Sequence, residues 1–212
     1  MPFKGTMWRL RYLPTRVRER KASRYWDSVA PDWKHRDPEI ANFTRKLVES
    51  KRLRGRTLHL LAGANPYVEE GVNADISMAM LRGDSSRDSV RCNLDAGAYA
   101  WFPFAKQSFG SATLINGALY LRNPLDLFKE VGRVLIADGK FVIIYCPDLH
   151  SGKVWTNNLT PERIALLLKR ADFETQIEEK TFAQTSGLAG MMAIVAFYDN
   201  KFVHQVITAT KQ

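Results

Sequence analysis

The sequence predicts an α/β fold, a sheet covered by helices on both faces. Three observations carry that expectation. Strand-like and helix-like stretches alternate from Thr57 onward, the central strand-like runs are continuously apolar, above all FVIIY at 141–145, and turn residues punctuate the boundaries. With 212 residues, 45% of them apolar, the chain is long enough to bury one sizeable core and too short for two ordinary domains.

The elements follow in order. Residues 1–24 read as a basic extension ahead of a single domain, 25–212, in which 25–56 form a helical cap and 57–200 the sheet core. From Glu39 to Leu53, Ile40, Phe43, Leu47 and Val48 share one side of a helix, with Pro38 suited to its first turn and Gly55 to its end. Strands are expected at Thr57–Ala62, Gly71–Asp75, Ser89–Asn93 and Ala112–Asn116. Asn123-Pro124 opens a helix running through Asp126 to Leu135, and Asp138-Gly139 turns the chain into the strand GKFVIIYC. Thr160 caps a further helix with Pro161 in its first turn; a strand follows near Glu174–Lys180, and the apolar run GMMAIVAFY at 190–198 closes the series.

Composition excludes several classes of protein. Cys92 and Cys146 are the only cysteines, too few for a disulfide framework, and no Cys/His cluster has zinc spacing, so a reducing compartment and no metal are expected. No run of about 18 apolar residues exists, which argues against a transmembrane helix, and the charges in the first 21 residues break the apolar stretch a secretory signal needs. The arginines there suit an organellar targeting segment, although serines are scarce; a cytoplasmic location is the working expectation. The net charge of +9 is uneven: residues 1–56 carry a balance of +10 and residues 57–212 a balance of -1. Such a block either steers the domain toward nucleic acid, anionic lipid or an acidic protein, or is a solvated extension.

In open α/β sheets ligands lie beyond the C-terminal ends of the strands. The first strand ends in LLAGANPY, where Gly63 admits close backbone approach and Asn65 offers hydrogen bonds. The second ends in VNADIS, with Asp75 placed to accept from two ribose hydroxyls and Ile76 beside it. After the third, Asp95 is placed to accept from an adenine amine, with Ala96 adjacent. Together these are parts of a site for an adenosine without phosphates.

The sequence resembles the class I methyltransferases that use S-adenosylmethionine, in particular the ubiquinone and menaquinone biosynthetic group. The stretches that carry the resemblance are YWDSVAPDW, the long segment from CNLDAGAYAWFPF to GKFVIIY, and LTPERIALLLKRADFE, in that order over roughly residues 20–198. It implies a Rossmann-like seven-stranded mixed sheet with helices on both faces and an N-terminal helical cap. It also implies S-adenosyl-L-methionine as cofactor: Gly63 and Asn65 near its methionine part, Asp75 on the ribose, Asp95 and Ala96 at the adenine, and Asn116 and Gly117 as the floor toward the acceptor. Tyr120 would stand beside the acceptor, Tyr25 and Trp26 would belong to a cap over the methyl group, and Tyr25 and His150 are further candidates for a base.

Three features depart from the family pattern. Only Gly63 remains before Gly71, and the nine residues from one to the other, Pro66 included, leave a loop or single turn instead of a crossover helix. Gly110 in SFG replaces an aspartate, and IADGK replaces a lysine-proline-glycine-glycine turn. Two functions therefore stand open. One is a methyltransferase acting on an unidentified acceptor, a small molecule favoured. The other is a catalytically silent scaffold that holds RNA or a protein through residues 1–56. The oligomeric state is not legible.

Overall fold

In the computed structural model, residues 15–33, 38–64, 67, 71–83, 88–94, 102–145, 159–183 and 201–212 are described. Two helices come first, α1 at Thr15–Trp33 and α2 at Pro38–Ser50. In α2 the buried residues Ile40, Ala41, Thr44, Leu47 and Val48 form one stripe, the spacing of a helix laid on a surface. The helix stops at Ser50, short of the expected Leu53, because Arg52 turns into the left-handed region at φ 49° while the Lys51 and Arg52 amides close the last turn onto Val48 and Glu49.

Seven strands follow: β1 Thr57–Leu60, β2 Val72–Asp75, β3 Asp88–Arg91, β4 Phe109–Ile115, β5 Leu135–Tyr145, β6 Phe173–Ala183 and β7 Lys201–Lys211. They form one sheet in the order β3-β2-β1-β4-β5-β7-β6, with the first five parallel and β7 antiparallel to both β5 and β6. This is the expected seven-stranded mixed sheet. Helix α3 (Met78–Arg82) follows β2, α4 (Pro124–Val134) follows β4, and α5 (Pro161–Lys169) precedes β6. Thr160 caps α5 as its sequence indicates, accepting from the Arg163 amide, whereas the Asn123 side chain makes no capping bond and α4 starts on Pro124 alone.

The two faces of the sheet differ. On one, Leu58, Leu60, Ala112, Leu114, Phe141 and Ile143 meet Leu127, Phe128 and Val131 of α4 and Ile164 and Leu168 of α5 in the main core. On the other, Val142, Ile144 and Val206 meet Ala41, Leu47 and Val48 of α2. Beside that smaller cluster the same face carries polar residues. His59 of β1 and Thr113 of β4 are paired in register and joined by a 2.8 Å bond between Nδ1 and Oγ1. Of the connection from β1 to β2, residues 65–66 and 68–70 lie outside the described residues; those described hold no helix.

The seventh strand was not legible at its observed place. Residues 190–198 lie outside the described residues, and β7 is KFVHQVITATK. Continuous apolarity marks a strand buried on both faces; β7 sits inside the sheet yet alternates, because His204 and Thr208 lie on the polar face while Ile207 and Ala209 reach the main core.

Gly110 has a packing reason. A Cβ there would lie 2.2 Å from the Arg54 carbonyl oxygen and 2.9 Å from its carbon, so the chain entering β1 runs directly against the start of β4. Asp138, at φ 58°, makes its turn as a bulge within β5, where pairing shifts from Phe109–Leu135 to Ser111–Lys140. Both departures from the family pattern thus belong to the rim opposite the strand C-termini. Gly110→Ala is expected to destabilise the chain by about 1–3 kcal/mol, read as a lower urea midpoint at unchanged slope; an unchanged midpoint would mean that this contact relaxes freely.

Candidate functional site

The C-terminal ends of β1, β2 and β4 converge on one cleft. Strand β1 leaves the sheet through Leu61 at φ 49° and Gly63 at φ 60°. Left-handed backbone costs a leucine appreciable energy and a glycine almost none, so the turn holds strain at Leu61 and releases it at Gly63. The turn is fixed by Asp75: the Gly63 amide donates to its Oδ2 at 3.0 Å and the Ser77 amide to its Oδ1 at 2.9 Å. The Ala62 amide donates to the Ala74 carbonyl beside it. One carboxylate therefore ties the glycine turn after β1 to the end of β2.

Burial pushes the Asp75 carboxyl above its ordinary pKa; the amides of Ser77, Gly63 and Ile76 oppose that shift, and the negative charge of Asp27 adds to it. A carboxylate has about four acceptor positions, and the two bonds to Gly63 and Ser77 leave acceptor capacity toward the cleft. Across the cleft, Asn116 follows β4 at φ 53°, its amide bonded to the Ile144 carbonyl at 2.7 Å. Its side-chain Oδ1 is buried with no hydrogen-bond partner. A buried acceptor left without a donor is costly unless a ligand supplies one.

The cleft, a cavity of about 60 Å³, lies between Gly63, Asp75, Ile76, Asn116, Gly117 and Tyr120, with Met80, Tyr67 and Trp26 completing the wall. Trp26 reaches in from α1 and meets Tyr120 edge to face at 4.8 Å; Tyr25 stands behind Trp26 at 5.2 Å and is not part of the cleft lining. Burial raises the Tyr25 phenol above its usual pKa, so at neutral pH it is a proton donor and a poor base. Cys92 lies close by, its amide bonded to the Asp75 carbonyl; burial and then the Asp75 charge push its thiol up to about 12, which keeps it from acting as a thiolate.

Of the site residues expected from sequence, Gly63, Asp75, Ile76, Asn116, Gly117 and Tyr120 come together in this cleft. Asn65, Asp95, Ala96 and His150 lie outside the described residues. Tyr67 and Met80 were missed. Met80 belongs to the short helix α3, whose only sequence signal is Ser77, the residue that caps it by accepting from the Met80 amide.

Residues 54–143 match the family model of the methyltransferase domain. No curated protein matches the sequence. Among solved structures, a chain described as a methyltransferase in complex with the Haloferax volcanii Trm112 methyltransferase activator shares 14% identity at a TM-score of 0.64, covering 88% of this chain and 98% of that one. A SAM-dependent methyltransferase from Thermotoga maritima shares 13% at 0.65, covering 88% and 98%. The [4+2]-cyclase SpnF shares 15% at 0.64, covering 91% and 96%. At such identities these likenesses establish the fold.

The raised pKa of Asp75 sets a pH dependence. A carboxyl that holds its proton more tightly in the folded chain favours folding below the ordinary value of 3.8, and that contribution is lost as pH rises through the folded value. Asp75→Asn cannot ionise, and the bond it forgoes is a cost independent of pH. Its stability relative to the parent chain is therefore expected to increase from about pH 3.5 to about pH 7 in urea titrations; a constant difference would contradict the burial of a charge at this position.

Proposed function

We propose that this chain, which has the class I S-adenosylmethionine-dependent methyltransferase fold and carries the methyltransferase domain in residues 54–143, transfers a methyl group to an acceptor held under its Trp26–Tyr120 cap. The domain and the fold imply S-adenosylmethionine as cofactor, and the residues around the cleft offer groups that would hold it. The observation that carries the reading is the pairing of Asp75, buried with acceptor capacity facing the cleft, with the orphan Oδ1 of Asn116 across from it. Asp75 would accept from the ribose hydroxyls, Asn116 Oδ1 from the amine of the methionine part, and Gly63 would let the cofactor lie against the β1 turn.

The cofactor supplies an activated methyl on a sulfonium, so the protein's task is alignment. Ile76 and Met80 would border the ribose side with apolar surface, Gly117 would form the floor, and Trp26 with Tyr120 would cover the methyl group. The Tyr120 hydroxyl would stand beside the acceptor and orient it or receive its proton. A small, largely apolar acceptor is favoured by the aromatic and aliphatic lining.

A protein partner is the second element of this reading. Arg20, Lys21 and Arg24 on α1 and Arg45 and Lys46 on α2 are exposed, which gives the basic N-terminal region a surface for an acidic partner or RNA. The Haloferax volcanii neighbour was solved with an activator, so a fold of this kind accommodates a protein subunit. No helix among the described residues is long and apolar enough to cross a membrane. A cytoplasmic location remains part of the proposal.

Titration calorimetry with S-adenosylhomocysteine tests the function. The parent chain is expected to bind it, and Asp75→Ala to bind about 10- to 100-fold more weakly, the worth of hydrogen bonds to a charged acceptor. Absence of heat and of thermal stabilisation at millimolar ligand would put the silent scaffold first. In that case a binding affinity for RNA that falls steeply with salt would mark the basic region as the working surface.

A further inference from the structure

We propose that Asp27 is a positioning residue, a latch through which α1 fixes the Trp26 cap to the same strand end that presents Asp75. The latch itself is read from protein contacts; only its effect on ligand binding rests on the cofactor reading above.

Asp27 is one residue from Trp26, and its carboxylate accepts from three groups, two of them outside α1. Its Oδ1 accepts from Ser77 Oγ at 2.6 Å and from the Ala79 amide at 3.1 Å; its Oδ2 accepts from Ser23 Oγ at 3.3 Å. Ser23, one helical turn back, accepts in turn from Arg91 Nη2 at 3.1 Å, and Arg91 Nε donates to the Ile76 carbonyl at 3.1 Å. The clamp therefore gathers α1, the end of β2, the start of α3 and the end of β3.

Ser77 is the hinge of the arrangement. Its amide donates to Asp75 and its hydroxyl donates to Asp27 while accepting from the Met80 amide. One residue thus connects the carboxylate that faces the cleft to the carboxylate that holds the cap. Helix α3 has five residues, too few to be stable on its own. Asp27 takes the place of an external partner for its first turn. If α1 withdrew, the Ala79 amide would lose its acceptor and the Ser77 hydroxyl its own, and Trp26 would leave Tyr120.

The electrostatics agree with the geometry. Burial works against charge on Asp27, but the bonds from Ser77, Ala79 and Ser23, together with the Arg91 charge, outweigh it and hold the carboxyl below its ordinary pKa. The latch is ionised at neutral pH. Cap and cofactor site therefore move as one unit, so that filling the cleft and docking α1 favour each other.

Hydrogen–deuterium exchange on the full chain tests this, with Asp27→Ala, Asp27→Asn and the parent, each free and with S-adenosylhomocysteine. Asp27→Ala is expected to speed exchange in residues 20–30 about ten-fold or more while β4 and β5 stay protected. Asp27→Asn keeps an oxygen for Ser77 and Ala79 and is expected to restore most of the protection. Ligand should protect α1 in the parent but protect only the β1 turn and residues 75–77 in Asp27→Ala. Unchanged α1 exchange in Asp27→Ala, or equal ligand protection of α1 with and without the carboxylate, would overturn the proposal. If the parent takes up no ligand, the cofactor reading fails, and the free-state comparison still decides the latch. Should Asp27→Ala not fold, Ser77→Ala removes the hydroxyl while retaining the amide that serves Asp75; faster α1 exchange supports the latch, and unchanged exchange overturns it.

Discussion

The site depends on a buried carboxylate at the end of β2. Asp75 holds the Gly63 amide on one oxygen and the Ser77 amide on the other, and so fixes the turn by which β1 leaves the sheet. Where a crossover helix packs on a sheet, its buried side chains brace the loop that precedes it. Here the two hydrogen bonds to Asp75, the Ala62–Ala74 backbone bond and the left-handed turn at Leu61 and Gly63 do that work. The cost is a charge in a poorly solvated place, which surfaces as the raised pKa of the group.

The sheet around the cleft has one polar and one apolar face. No helix among the described residues joins β1 to β2, and one face of the sheet there carries Thr57, His59, Asn73, Ser111 and Thr113, all of them buried. His59 and Thr113 satisfy one another. Asn73 is buried with neither amide atom bonded, a cost that an apolar residue would avoid. The other face keeps a continuous apolar core against α4 and α5 and supplies the main stability of the scaffold. The strand ends are thus held from one side by packing and from the other by specific polar contacts.

Much of this was legible in the sequence. Six strands and the helices α2, α4 and α5 follow from periodicity and from turn residues, and the cleft residues Gly63, Asp75, Asn116 and Gly117 follow from their places after strands. What escaped did so for physical reasons. Strand β7 alternates because its two faces meet different surroundings, so the more apolar run before it gave the stronger signal. The left-handed φ of Arg52 that ends α2 depends on local backbone choice, which glycine at 55 did not reveal. No sequence motif marks Asp27 as a latch. Only the docking of α1 beside Ser77, 50 residues away in sequence, gives it a role.

A crystal structure of the full chain with S-adenosylhomocysteine is the most direct test of the central claim. The account predicts the ribose hydroxyls within hydrogen-bonding distance of the Asp75 carboxylate, the ligand's amine on Asn116 Oδ1, and Trp26 closed against Tyr120. A ligand bound elsewhere, or one in the cleft whose ribose leaves Asp75 untouched, would contradict it.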